Sequence, residues 1–343
     1  MPRVVGCDPG TSGLDLVLLD AGRVVDQASF DASRLNGDPD AFARQLRAWM
    51  PIDLVAGPSG YGVPLVTAAE LTDDHLDQMT LVRPDERGHE VGVGGFRRRV
   101  RELVATGLPA VFLPGGIHLP TIPAHRKANA IDLGTPDKVC VAALALYQHR
   151  QQTDVPYAQA RFAVVEVGSA FTAVLVIEGG QLVDAAAGSR GPLGVRSGGA
   201  WDGEAAYWLA PLSKNDLFRG GMRDLGELGP PAFGESLRKQ VAGLKAVTPF
   251  ARIYLSGVHQ ALALGWLEDL ATVAPLSSLP GARVKHAAQG AALVADGLAG
   301  GPHGDLVESL ALRSATGRMD AYLAYRRPLA SIGKPPDGIA SAP

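Results

Sequence analysis

The stretch Asp8–Asp26, DPGTSGLDLVLLDAGRVVD, returns at Glu166–Asp184 as EVGSAFTAVLVIEGGQLVD. The two align without a gap at an offset of 158 residues, placing Asp8 on Glu166, Gly10 on Gly168, Thr11 on Ser169, Asp20 on Glu178, Gly22 on Gly180 and Asp26 on Asp184. In each copy an apolar run ends in an acid and a small-residue turn, a second apolar run follows, and a glycine-containing turn leads into a third. Glycine at such a turn supplies the positive φ that a tight hairpin needs. Each copy therefore reads as three sequential strands: Arg3–Asp8, Leu14–Asp20 and Val24–Phe30, then Phe162–Val167, Phe171–Glu178 and Gln181–Ala187. A chain that builds this unit twice, with helices and strands alternating after each, is expected to form two similar α/β domains with mixed sheets facing each other across a cleft. A ligand is expected where the strand-end loops of the two halves meet.

The length of 343 residues fits two domains at roughly 100–200 residues each. We expect one over 1–155 and a second over 156–300, then a helical segment over 301–327 and a Pro-, Gly-, Ser- and Ala-rich tail over 328–343 that reads as disordered. Asp38 and Pro39 read as N-cap and first residue of a helix carrying Phe42, Leu46 and Trp49 at helical spacing. Ile52–Gly62 and Pro109–Gly116 read as buried strands ending in Gly-rich loops. Phe96–Thr106 reads as a helix whose Arg97, Arg98, Arg99 and Arg101 form a solvated face rather than an anion site. Thr135 and Pro136 open a helix that is apolar nearly all round from Val139 to Leu146, so it is expected to be buried. Gln151–Arg161 reads as a linker. Trp201–Leu209 and Glu235–Val247 read as helices, Ala251–Ala271 as strand, glycine turn and helix, and His286–Gly300 as a small-residue helix able to pack closely.

A net charge of −3 gives no field favouring nucleic acid or an anionic membrane, and neither partner is expected. Two cysteines, Cys7 and Cys140, exclude a disulfide framework and a Cys-rich zinc site and fit a reducing cytoplasm. No apolar run reaches the roughly 18 residues of a membrane helix.

The repeated turn carries the chemistry. Its glycines let backbone N–H groups approach an anion, and Thr11 and Ser12 add hydroxyl donors. The strand-end acid cannot bind phosphate itself but can hold a hydrated Mg²⁺ that bridges to phosphates. An ordinary hairpin with a turn-capping Asp explains either copy alone. The in-register duplication, with an acid at the same strand end, favours two grips on one polyphosphate. Asp137 and Lys138 are equally explained as a dipole-favoured pair at a helix start. Asp202 and Glu204 read as caps of the helix near Trp201, with a role as base for one of them left open.

With these motifs in this order, the chain resembles the acetate and sugar kinase, heat-shock cognate and actin superfamily. GCDPGTSGLDLVLLD resembles that superfamily's first phosphate motif, VVEVGSAFTAVLVIEGG its second and ARIYLSGVHQ its adenosine motif. GTPDKVCVAALAL and QGAALVADGLA resemble the two helices that cross between its domains. Within it, SGYGVPL and IDLGTPDKV are similar to a family labelled predicted butyrate kinase. The resemblance implies duplicated ribonuclease H-like (actin-like ATPase) domains around a nucleotide cleft, ATP and Mg²⁺ as cofactors, and a small-molecule phosphate acceptor. It implies that Asp8 and Glu166 organise the metal through water. Gly10, Thr11, Ser12, Gly168, Ser169, Ser256 and Gly257 would bind the nucleotide. Arg196, in a segment similar to an acetate kinase turn, would stabilise the transferring phosphoryl group, and His125 would contact phosphate at the cleft edge. Carboxylate kinases are often dimers, so a homodimer is an option. Three departures stand out: Asp8 replaces an Asn of acetate and butyrate kinases, DLVAGPSGYG lacks their substrate-binding Arg, and Glu166 replaces the Asp of sugar kinases and actin. A slow actin- or heat-shock-type ATPase acting on a protein partner and an exopolyphosphatase-like phosphatase are the alternatives.

Overall fold

The computed structural model describes residues 1–10, 13–38, 40–83, 86 and 95–324. Thr11, Ser12, Pro39 and the expected tail lie outside the described residues. The first sheet has the order β3-β2-β1-β4-β6-β5, from β1 (Arg3–Gly10), β2 (Gly13–Asp20), β3 (Arg23–Asp31), β4 (Leu54–Ala56), β5 (Val66–Thr67) and β6 (Ala110–Phe112). The second has the order β11-β10-β7-β8-β9, from β7 (Arg161–Val167), β8 (Thr172–Glu178), β9 (Gln181–Ala186), β10 (Arg252–Ser256) and β11 (Thr272–Pro275). Each sheet begins with an antiparallel meander and continues with two strands parallel to its first. The fold is thus a pair of duplicated actin-like α/β domains with mixed sheets.

The duplication extends to its irregularities. The ladder between β2 and β3 slips at Leu18/Leu19, and that between β8 and β9 slips at Val176/Ile177, the same place in the repeat. A bulge sharpens the local twist and is a built feature of a strand pair. The ion pair Arg3–Asp20, at 2.8 Å, recurs as Arg161–Glu178 at 2.7 Å across the equivalent cross-strand positions.

Two helices lie between the sheets. The Pro136–Thr153 helix packs on β8 of the second sheet, and the His286–Leu298 helix packs on β1 of the first. Both belong to one core that includes Val4, Leu19, Leu144, Phe162, Leu175 and Leu293. Small residues permit the crossing. A Cβ on Gly6 would strike the backbone of Ala288 and Ala292, and one on Gly290 would strike the carbonyl of Cys140. The outer face of the first sheet is covered by Phe42, Leu46, Val100 and Leu103, and that of the second by Phe233, Leu237 and Val241. Among the described residues no helix is long and apolar enough to cross a membrane.

Local departures from expectation have local causes. A short helix, Ala32–Gly37, precedes the expected one because Asp31 caps it through Arg34 N–H at 2.7 Å. The next helix, Ala41–Ala48, therefore has Asp40 at its N-cap position, while Asp38 sits at the end of the first. The Asp73–Thr80 helix and β11 are further elements that the apolar pattern did not disclose. The arginines of the Phe96–Ala105 helix serve structure: Arg97 pairs with Asp77 at 2.6 Å, Arg101 with Asp73 at 3.3 Å and Arg98 with Glu102 at 3.2 Å.

Candidate functional site

The parallel strands of both sheets end at one cavity of about 650 Å³. Gly10, Glu166, Gly168, Ser169, Ser256 and Gly257 line it, so six of the expected site residues converge. Asp8 lies directly behind them, buried at the end of β1 opposite Asp15 of β2. Gly257 follows β10 with φ +92°, a conformation in which a Cβ would collide with Val167, so the turn keeps its backbone bare toward the cavity.

Two lysines organise the acids. Lys138 Nζ lies 2.6 Å from Asp137 and 3.1 Å from Glu166. Lys285 Nζ lies 3.4 Å from Asp8 and 3.8 Å from Asp15. Each sits at the start of a crossing helix: Lys138 in the first turn after Pro136, Lys285 as the residue before His286. The pairing is exchanged between halves. The helix that closes the first half supplies the lysine for Glu166 of the second, and the helix of the second half supplies the lysine for Asp8 of the first. Docking of the 281–285 segment fixes Lys285. Gln27 accepts from Arg283 N–H at 2.6 Å and donates to Gly281 O at 3.1 Å, and Asp15 accepts from Lys285 N–H at 3.1 Å. A Cβ on Gly10 would stand 2.8 Å from Lys285 Nζ, so glycine there lets the ammonium pass over the turn to Asp8.

Burial dominates the electrostatics. It pushes the carboxyls of Asp8 and Glu166 up, against the lowering effect of Lys285 and Lys138 respectively. Burial also works against Asp137, but the Lys138 ammonium and hydrogen bonds from Lys138 and Thr135 overcome it and hold that carboxyl below its ordinary value. Burial disfavours charge on Lys138 too, yet Asp137 and Glu166 raise its pKa above the ordinary lysine value. The Thr135 hydroxyl, expected to cap its helix, instead donates to Asp137. Burial raises Asp132, on the loop before Thr135, to about 6 and lowers Lys214 to about 8.

The structure does not bring every expected residue to the cavity. His125 is exposed on the short Ala124–Lys127 helix. That helix is anchored elsewhere, by Arg126 to Val183 O at 2.8 Å and by Lys127 to Leu119 O at 2.7 Å, and His125 is absent from the cavity wall. Arg196 is also absent from the wall. Its backbone N–H donates to Ala170 O at 3.1 Å, beside the second turn, and its buried Nε has no hydrogen-bond partner. Asp202 caps the Gly203–Leu209 helix, accepting from Glu204 and Ala205 N–H. Lys285, Lys214, Tyr61 and Asp132 are site residues that sequence reasoning passed over. Tyr61 and Asp132 stand within SGYGVPL and IDLGTPDKV, the two stretches that carried the finer resemblance.

Residues 6–325 match the family described as "Protein of unknown function (DUF1464)". The chain belongs to that family. No curated protein matches it in sequence. Among solved structures it is similar to a propionate kinase from Francisella tularensis, at 12% identity and TM-score 0.55, covering 85% of this chain and 98% of that one. It is also similar to the acetate kinase of Entamoeba histolytica, at 12% identity and TM-score 0.52, covering 78% and 86%. The acetate kinase of Porphyromonas gingivalis is comparable, at 12% identity and TM-score 0.50, covering 76% and 84%. At such identities the likeness is one of fold: this DUF1464 chain has the two-domain architecture of those kinases.

Proposed function

We propose that the protein is an ATP- and Mg²⁺-dependent phosphotransferase acting on a small carboxylate, as a butyrate kinase would, or on a related small acceptor. Its two nucleotide-gripping units would span residues 1–155 and 156–300, and it would work in the cytoplasm on a small molecule. The observation that carries this reading is the pair of duplicated acids, Glu166 on the cavity wall and Asp8 directly behind it, each faced by a lysine from the other half.

The residues present suit the ligands. Glu166 Oε2 and Lys285 Nζ are buried without a hydrogen-bond partner, which is costly unless something fills the place. Among the described residues no group of three or more His, Cys, Asp or Glu could hold a metal by protein atoms alone. A divalent cation here would take its ligands from water and phosphate oxygens, as Mg²⁺ commonly does. Held through water by Asp8 and Glu166, Mg²⁺ would neutralise phosphate charge and orient the terminal phosphate. Gly10, Gly168 and Ser169 would let the phosphates approach the backbone closely, the Gly168 N–H itself being held by Phe171 O at 3.0 Å, with Thr11 and Ser12 beside Gly10. Ser256 and Gly257 would seat the nucleoside against bare backbone. Lys138 and Lys285 would oppose the charge that develops on the transferring group, and Arg196 would join them when the halves close. His125 receives no role. Such a site works by positioning and electrostatics, with little covalent chemistry for the protein.

The test is calorimetry of the full chain with ATP and Mg²⁺, followed by ADP release with short-chain acids and hydroxy acids. Wild type is expected to bind ATP, and Asp8→Ala is expected to lower turnover by about 10²–10³-fold, the scale of losing one preorganised electrostatic group. Failure of wild type to bind ATP, or full turnover by Asp8→Ala, overturns the reading.

A further inference from the structure

Past the paired acids the cavity continues between Tyr61, Met79 and Phe96 of the first half and Lys214, Leu217 and Phe218 of the second, where its chemistry changes. Lys214 Nζ donates to Tyr61 Oη at 2.8 Å and stands 4.2 Å from the centroid of the same ring. Both residues are held by backbone contacts: Tyr61 N–H donates to Met79 O at 2.9 Å, and Lys214 N–H donates to Glu86 at 3.0 Å. Met79, Phe96, Leu217 and Phe218 supply apolar wall to this cavity, and the Phe218 ring meets Phe171 edge to face at 5.0 Å between centroids. Asp132 is the acid of this end. Its Oδ1 accepts from Gly134 N–H at 3.0 Å, and its charge is felt by Tyr61 and Lys214 on one side and by Lys138 on the other. Among the described residues no cation forms an ion pair with it.

These groups ask three different things of an acceptor. An ammonium that is still largely charged at neutral pH attracts an anion. An apolar wall favours a short hydrocarbon body. A cavity carboxyl that titrates near neutrality suits proton acceptance from a hydroxyl. An acceptor phosphorylated on its own carboxylate needs no proton acceptor, and it would face Asp132 as a like charge.

We propose that Tyr61, Lys214 and Asp132 form the acceptor subsite, and that it takes a small hydroxy acid with a short apolar chain, its carboxylate on Lys214 and its hydroxyl toward Asp132. This rests on the phosphotransferase reading and, of its two acceptor classes, takes the related small acceptor in place of a carboxylate phosphorylated on itself. In the step, the acceptor hydroxyl oxygen bonds to the γ-phosphorus while the bond from that phosphorus to the β,γ-bridging oxygen breaks. ADP leaves with the electron pair, and the hydroxyl proton passes to Asp132. The product is a phosphate ester rather than an acyl phosphate.

The experiment incubates the full chain and ATP–Mg²⁺ with lactate, glycerate, 3-hydroxybutyrate or butyrate. Phosphorus NMR detects esters, and hydroxylamine traps acyl phosphates. An ester from at least one hydroxy acid, with no hydroxamate from butyrate, is expected. Lys214→Met should then raise KM for that acid about tenfold or more, as expected for loss of a charge-assisted contact. It should leave kcat within about threefold and KM for ATP unchanged, the mark of lost uniform binding. Lys214→Arg should recover most of the affinity. Should Lys214→Met not fold, Tyr61→Phe, which removes only Oη, should still raise the acid's KM and spare that of ATP. Hydroxamate from butyrate, or an unchanged KM in both variants, overturns the proposal. ATP binding in calorimetry with no ester formed also overturns it while leaving the nucleotide cleft standing, whereas absence of ATP binding removes the parent reading itself.

Discussion

The two halves carry the same strand, turn and bulge, yet their acids are held differently. Glu166 shares Lys138 with Asp137 in a half-buried triad at 2.6 and 3.1 Å. Asp8 shares Lys285 with Asp15 at 3.4 and 3.8 Å, and the Lys285 side chain is 30% exposed against 15% for Lys138. The longer side chain of Glu166 reaches an ammonium already hydrogen-bonded to its neighbour. The shorter Asp8 leaves its ammonium at a distance and without a hydrogen bond. The second grip is thus a closed network and the first an open one, so an incoming metal or phosphate meets less competition at Asp8. A duplicated backbone fixes where the acids stand. The lysine each receives decides how firmly it is held.

Removing the lysines breaks this contrast most severely. Lys138→Met strands two half-buried carboxylates and is expected to cost about 3 kcal/mol in urea unfolding at pH 7–8, the lower end for breaking a buried pair. That loss should shrink toward pH 5 as the stranded acids take up protons. Lys285→Met, whose contacts at 3.4 and 3.8 Å are longer, should cost less. Equal losses would erase the distinction between the two grips.

Asp132 tests the case of a cavity acid with no lysine bonded to it. Its folded-state carboxyl, at about 6 against an ordinary 3.8, binds its proton more tightly than the unfolded chain does. Its contribution to stability therefore falls as pH rises from about 4 to about 6, then stays level. Around it stand Asp137, Lys138, Lys214 and Tyr61. Asp132→Asn, which can still accept from Gly134 N–H, should raise stability above pH 7 by about 2–3 kcal/mol, with no gain below pH 4. The same variant should lose phosphoryl transfer. A flat pH profile for the stability difference would refute the assignment. Glu166→Asp has the smallest expected effect: withdrawing one methylene opens the 3.1 Å contact to Lys138 and should cost about 1 kcal/mol in the same urea assay.

The sequence made the scaffold legible and the charge network only half so. An ungapped repeat at 158 residues implies matched ladders, and the paired bulges and the recurring Arg–acid bridges follow from it. Glycine and small residues along His286–Leu298 announced close helix packing, and Cys140 and Gly290 meet as that pattern required. Lys285 was illegible because its partner Asp8 lies 277 residues away and only the Gln27 and Asp15 contacts bring the two together. Lys138 gave no sign beyond that of a helix start until Glu166 was seen beside it. His125 was expected at the cleft edge because the resemblance to the acetate and sugar kinase superfamily implies a phosphate-contacting histidine there. Arg126 and Lys127 instead spend their donors on backbone carbonyls and turn the segment away.

The exchange of lysines between halves has a consequence for how such a chain can change over time. Each copy of the repeated unit draws the counter-ion of its acid from the other, so a change at either lysine is felt by the acid of its sibling. Duplication usually frees one copy to vary. Here it left two halves that must be inherited, and altered, as a pair.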